Sequence, residues 1–130
     1  MQTKAITQQT NNTIIVADDD PAILDAISMM LEISGYKVEA VSDGNVIERM
    51  GKVKPQLVLL DVLMSGVDGR DICRELKSSS MKDIPVILFS ASHDMVKSVY
   101  SVGANDFIAK PFNIDELLTK VEKHMTAYYA

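Results

Sequence analysis

The chain has 130 residues, 47% of them hydrophobic and 24% charged, and a net charge of −5. That is enough for one domain with a real core, and too apolar for a disordered segment. The acidic balance counts against nonspecific nucleic-acid or membrane-surface binding, which want a basic face; one cysteine, Cys73, forbids an internal disulfide and fits a cytoplasmic protein, and no apolar run approaches the roughly 20 residues of a membrane span.

The first twelve residues, MQTKAITQQTNN, are polar and lack the apolar centre of a signal peptide. They are expected to form a flexible lead (1–12) before a domain at 13–126 and a frayed tail at 127–130. TIIVA (13–17) reads as a first strand, and it runs into Asp18-Asp19-Asp20. Asp20 precedes Pro21, the pattern of an N-cap with proline at the first helical position. Ile23, Ile27, Met30, Leu31 and Ser34 recur at helical spacing, and Gly35 is placed to end that helix. KVEAV (37–41) alternates as a strand with one face partly exposed. Val46, Ile47 and Met50 suggest a second helix. LVLL (57–60) is a third strand, ending at Asp61. Val67, Ile72 and Leu76 mark a third helix, which also carries Cys73. PVILF (85–89) is a fourth strand, ending at Ser90. Met95, Val96 and Val99 mark a fourth helix. DFIA (106–109) is a short fifth strand before Lys110-Pro111. Leu117, Leu118, Val121 and Met125 give a fifth helix, with Asp115 and Glu116 in its first turn.

Five strand–helix units in this order predict an α/β fold. Continuous Val, Ile and Leu runs suit parallel strands buried on both faces. Right-handed crossovers then give a doubly wound parallel sheet with helices on both faces. Sites in such sheets form at the carboxyl ends of the strands. Asp18, Asp19, Asp61, Ser90 and Lys110 all fall there. If the first and third strands are neighbours, three carboxylates come together and repel, more so when partly buried. Oxygen-only ligands in an open site point to a hard cation such as Mg²⁺, with Mn²⁺ as a substitute. Mg²⁺ and Lys110 would balance Asp18, Asp19 and Asp61, leaving a near-neutral pocket able to accept a phosphoryl group. A carboxylate nucleophile beside a divalent ion is the arrangement of aspartyl-phosphate formation.

The segments VADDDPAI, LVLLDVLMSGVDG, PVILFSAS and GANDFIAKPF, in this order, resemble the receiver domain of two-component response regulators. The resemblance covers residue 13 to about residue 126. It implies a five-stranded sheet of flavodoxin-like order 2-1-3-4-5. It makes Asp61 the phosphoacceptor, with Asp18, Asp19 and the backbone carbonyl of Leu63 completing the metal site. Ser90 and Lys110 would bind the phosphoryl group, and Phe107 would be the aromatic that turns inward on activation. Small Ala91 would leave the acceptor accessible, and the Lys110–Pro111 bond would be cis. The implied donor is a phosphohistidine of a histidine kinase or a phosphotransfer protein. The implied output is a change in the face of the fourth helix, fifth strand and fifth helix. A downstream protein, or a fused output domain, would read that change. The chain would act as a monomer or a weak phosphorylation-dependent dimer, with Tyr100 and Asp106 near the dimer face, and without direct nucleic-acid or membrane contact. Ser65 stands where the family often has proline.

Two other classes compete. An aspartate-nucleophile phosphohydrolase usually has a second Asp two positions after the nucleophile, where this chain has Leu63. A degenerate receiver acting only by binding would lack an acidic, hydroxyl or lysine residue, and all are present here. An enzyme in the ordinary sense is therefore not expected, beyond self-phosphorylation from small donors and autodephosphorylation. A flavin-binding domain of the same topology is disfavoured by the lack of Trp and of a phosphate loop after the first strand. His93 and His124 read as surface histidines.

Overall fold

The computed structural model describes residues 12–64 and 66–127. Five strands form one parallel sheet: β1 (Thr13–Ala17), β2 (Lys37–Val41), β3 (Leu57–Asp61), β4 (Val86–Ser90) and β5 (Asp106–Ala109). Their order is β2-β1-β3-β4-β5, as expected for a flavodoxin-like (βα)5 fold. The helices are α1 (Pro21–Ile33), α2 (Val46–Val53), α3 (Gly69–Lys77), α4 (Val96–Ser101) and α5 (Ile114–Ala127).

The apolar strand runs have a simple cause. Alternate side chains enter two separate cores. Ile15, Ala17, Val58, Leu60 and Leu88 pack with Val46, Met50, Ile72 and Leu76 of α2 and α3. Ile14, Val16, Leu59, Ile87 and Phe89 pack with Leu24, Ile27, Leu117 and Val121 of α1 and α5. No strand face is left for water in β3 or β4, so both sequences are apolar up to their last residues, Asp61 and Ser90. β2 is an edge strand, and only Val41 is fully buried in it.

Helix starts follow the sequence chemistry where it is explicit. The Asp20 carboxylate accepts from the N–H groups of Ala22 and Ile23, and Pro21 opens α1. Gly35 then takes φ +100°, which side chains rarely adopt, so the chain can turn back into β2. One expected boundary is corrected. Val67 lies outside the third helix, in a two-residue antiparallel ribbon (Leu63–Met64 with Val67–Asp68). Asp68 caps α3 through the Arg70 N–H, so the helix begins at Gly69. The segment around Met95 is also less regular than expected: a 3₁₀ turn at His93–Met95 precedes α4.

The winding direction reverses between β1 and β3, and register decides what meets there. Ala17 pairs with Leu60, so Asp18 and Asp61 come next on adjacent strands. Ser90 pairs with Ala109, so Lys110 follows directly at the same edge.

Candidate phosphoacceptor and metal site

Carboxylate oxygens of Asp18, Asp19 and Asp61 lie within 4.8 Å of one another. Asp18 and Asp61 are buried, at 0% and 5% exposure. Lys110 reaches across from the end of β5. Its Nζ is 2.9 Å from Asp18 Oδ2 and 3.3 Å from Asp61 Oδ2, and it lies 4.9 Å from the centre of the Phe89 ring. The other Asp18 oxygen accepts from the Asp20 N–H at 2.9 Å. The three consecutive aspartates thus have different partners. Asp20 caps α1, while Asp18 and Asp19 face Asp61.

The electrostatics are unbalanced. The Asp61 carboxyl is raised from 3.8 to about 6: burial pushes it up most, the Lys110 charge pulls it down, and the Asp18 charge pushes it up again. Burial works against the Lys110 ammonium, but its hydrogen bond to Asp18 and the two carboxylate charges outweigh this and raise its pKa. Lys110 therefore stays charged and carries one positive charge against three carboxylates. The donor set is all oxygen, the chemistry of a hard divalent cation. The acidic cluster fits a receiver-type metal site.

Leu63 lies two residues past Asp61. Its N–H donates to the Asp61 carboxylate, and its side chain is 56% exposed at the rim. Ser90 ends β4, but its hydroxyl is turned to Met95 Sδ at 3.6 Å. Ala91 is exposed beside it. The Lys110–Pro111 bond is cis. An apolar groove of about 390 Å³ between α1 and this loop opens beside Lys110, walled by Ile23, Met30, Ala91 and Phe112. Phe107 is buried in the core beneath α4. Ser65, where the family pattern often has proline, lies outside the described residues, as do residues 1–11 of the lead and the end of the tail.

Two further features were not legible from spacing. His124 is not a free surface histidine: its Nε2 is 3.0 Å from Asp106 Oδ2, and its side chain is 13% exposed. Burial raises the Asp106 carboxyl, but His124, the Phe107 N–H and Lys120 together hold it below the usual carboxylate range. Arg70 forks onto Asp68 and donates to Ser98 Oγ at 3.0 Å, tying the start of α3 to α4. Both pairings join residues on different elements, which only the folded register brings together.

Fold and site together define a doubly wound α/β domain with an acidic, lysine-bearing pocket at its switch point. Residues 14–122 match the response regulator receiver domain model. The chain belongs to the response regulator receiver domain family of two-component systems. It is 35% identical over 112 residues to the DNA-binding dual master transcriptional regulator RpaA of Synechocystis sp., covering 83% of this chain and 46% of that protein. It thus spans about half the length of that regulator. Its fold matches the receiver domain of a signal transduction histidine kinase from Syntrophus aciditrophicus, with TM-score 0.80, 32% identity, and 89% and 91% of the two chains covered. It matches equally the response regulator TrrA of Thermotoga maritima in complex with Mg²⁺-BeF, with TM-score 0.80, 29% identity, and 87% and 98% covered. The response regulators among these homologues are signalling proteins rather than classical enzymes. Among the described residues, no helix is long and apolar enough to cross a membrane.

Proposed function

We propose that this chain is the phosphoacceptor switch of a two-component phosphorelay, with Asp61 as the acceptor. The observation that carries this reading is the bridge of Lys110 Nζ between Asp18 and Asp61, beside three converging carboxylates. A phosphohistidine of a sensor kinase or phosphotransfer protein is the donor. An Asp61 oxygen attacks phosphorus in line, the P–N bond breaks, and the imidazole leaves with its electron pair. Lys110 neutralises charge on the transferred oxygens, as a positioned cation does in phosphoryl transfer. Mg²⁺ held by Asp18, Asp19, Asp61 and the Leu63 carbonyl would supply the remaining positive charge, and the TrrA complex with Mg²⁺-BeF supports that choice by similarity.

Ser90 then turns its hydroxyl to a phosphoryl oxygen. The surface of α4, β5 and α5 moves with it, with Phe107 beneath. A downstream protein, or an output domain of the kind a DNA-binding regulator carries, reads that surface. The chain works in the cytoplasm, as a monomer or a weak phosphorylation-dependent dimer.

The test is intact-protein mass after incubation with acetyl phosphate, with and without Mg²⁺, on the unsubstituted chain and Asp61→Asn. A Mg²⁺-dependent gain of one phosphoryl mass, absent in the variant, is expected. No adduct, together with no binding of beryllofluoride, would overturn the reading and leave a domain that acts by binding alone.

A further inference from the structure

A serine hydroxyl has one proton to donate and lone pairs with which to accept. In Ser90 both roles are filled locally. The Ser92 N–H donates to Oγ at 3.1 Å, and Oγ donates to Met95 Sδ at 3.6 Å. Ser90 is 2% exposed, so water does not compete freely for that proton. A phosphoryl oxygen on Asp61 would need the same proton. The two uses exclude each other.

Met95 is not a loosely placed neighbour. Its carbonyl accepts from Ser98 Oγ at 2.8 Å, and Ser98 Oγ in turn accepts from Arg70 Nη1 at 3.0 Å. Arg70 Nη2 is fixed on Asp68 Oδ2 at 2.6 Å. Asp68 caps α3 and pairs across the ribbon with Leu63, whose N–H bonds Asp61. The Met95 side chain is packed against the core. A continuous set of contacts therefore runs from the acceptor loop to the thioether that holds Ser90.

We infer that Met95 is a positioning residue: its sulfur holds the Ser90 hydroxyl in the resting orientation, and phosphoryl capture exchanges that hydrogen bond for one to a phosphoryl oxygen. This rests on the reading of Ser90 as the phosphoryl-binding hydroxyl. A thioether is a weak acceptor, so the hold is small and easily exchanged.

Met95→Leu keeps similar bulk and removes the acceptor. Beryllofluoride affinity in Mg²⁺ is measured for the unsubstituted chain, Met95→Leu, Ser90→Ala and the double variant. Met95→Leu should tighten binding about twofold to fivefold, the scale of one weak hydrogen bond. In the Ser90→Ala background the same substitution should change nothing, since the proton it competes for is gone. No tightening, or the same change in both backgrounds, overturns the inference. A second measurement needs no substitution at Met95. With ¹³C-methyl methionine, the Met95 methyl resonance should shift on adding beryllofluoride, and should shift in resting Ser90→Ala; a resonance unmoved in both overturns the contact itself. Failure of the unsubstituted chain to bind beryllofluoride would instead remove the phosphoacceptor reading, and the exchange step with it.

Discussion

At the scale of single residues, Asp61 is both the proposed acceptor and a carboxylate held against its own charge. Burial, joined by the Asp18 charge, outweighs Lys110 and leaves the Asp61 pKa raised from 3.8 to about 6. The sign of the pH effect follows. Between about pH 4 and 6 the folded chain holds this proton more tightly than the unfolded chain. Folding stability therefore falls as pH rises through that window and stays lower above it. Asp61→Asn removes the effect. In chelator, the variant should gain on the unsubstituted chain by on the order of 2 kcal/mol between pH 4 and pH 7. Urea unfolding at the two pH values measures this. A stability difference that does not change with pH would show that Asp61 is not held against its own charge.

At the scale of elements, the close approach of α3 to β3 shapes the pocket. A Cβ on Gly69 would lie 2.2 Å from the Asp61 carbonyl oxygen and 3.2 Å from Leu60 Cγ. The Gly69 N–H also donates to the Val62 carbonyl at 2.7 Å. The obstruction is backbone, which cannot rotate away. Gly69→Ala should therefore cost about 1–3 kcal/mol or more and move the end of β3 that carries Asp61. Reduced stability in urea together with weaker Mg²⁺ binding is expected; a variant with normal values of both would mean the α3 start shifts freely. The sequence shows this glycine in the VDG segment but not its reason, because the clash partner is eight residues back on another element. The same limit explains the other differences. Buried strands are legible because both faces demand apolar residues, and Asp20-Pro21 because capping is local. Val67 misleads because a two-residue strand has no period to detect, and its apolar side chain mimics the next helix. The Asp18–Lys110 contact was legible only as a shared edge; the fold supplies the 2.9 Å.

At the scale of the whole molecule, two charge effects overlap and must be separated. The chain carries −5 overall, so any salt relieves some self-repulsion. The pocket adds a local excess, three carboxylates whose oxygens lie within 4.8 Å against the Lys110 ammonium. Screening acts on both and depends only on ionic strength. A divalent ion held by the carboxylates acts on the pocket alone and stabilises by mass action, about 2.7 kcal/mol at 100 times its dissociation constant. Mg²⁺ should thus raise the unfolding temperature beyond NaCl of equal ionic strength, and chelator should reverse only the excess. Asp19→Asn should lose most of that excess while keeping the NaCl response, since it removes a ligand but leaves the Lys110 bridge between Asp18 and Asp61. Thermal unfolding of both chains in the two salts decides the matter. Equal stabilisation by Mg²⁺ and NaCl would mean that the three carboxylates answer to the general field of an acidic protein and hold no metal of their own.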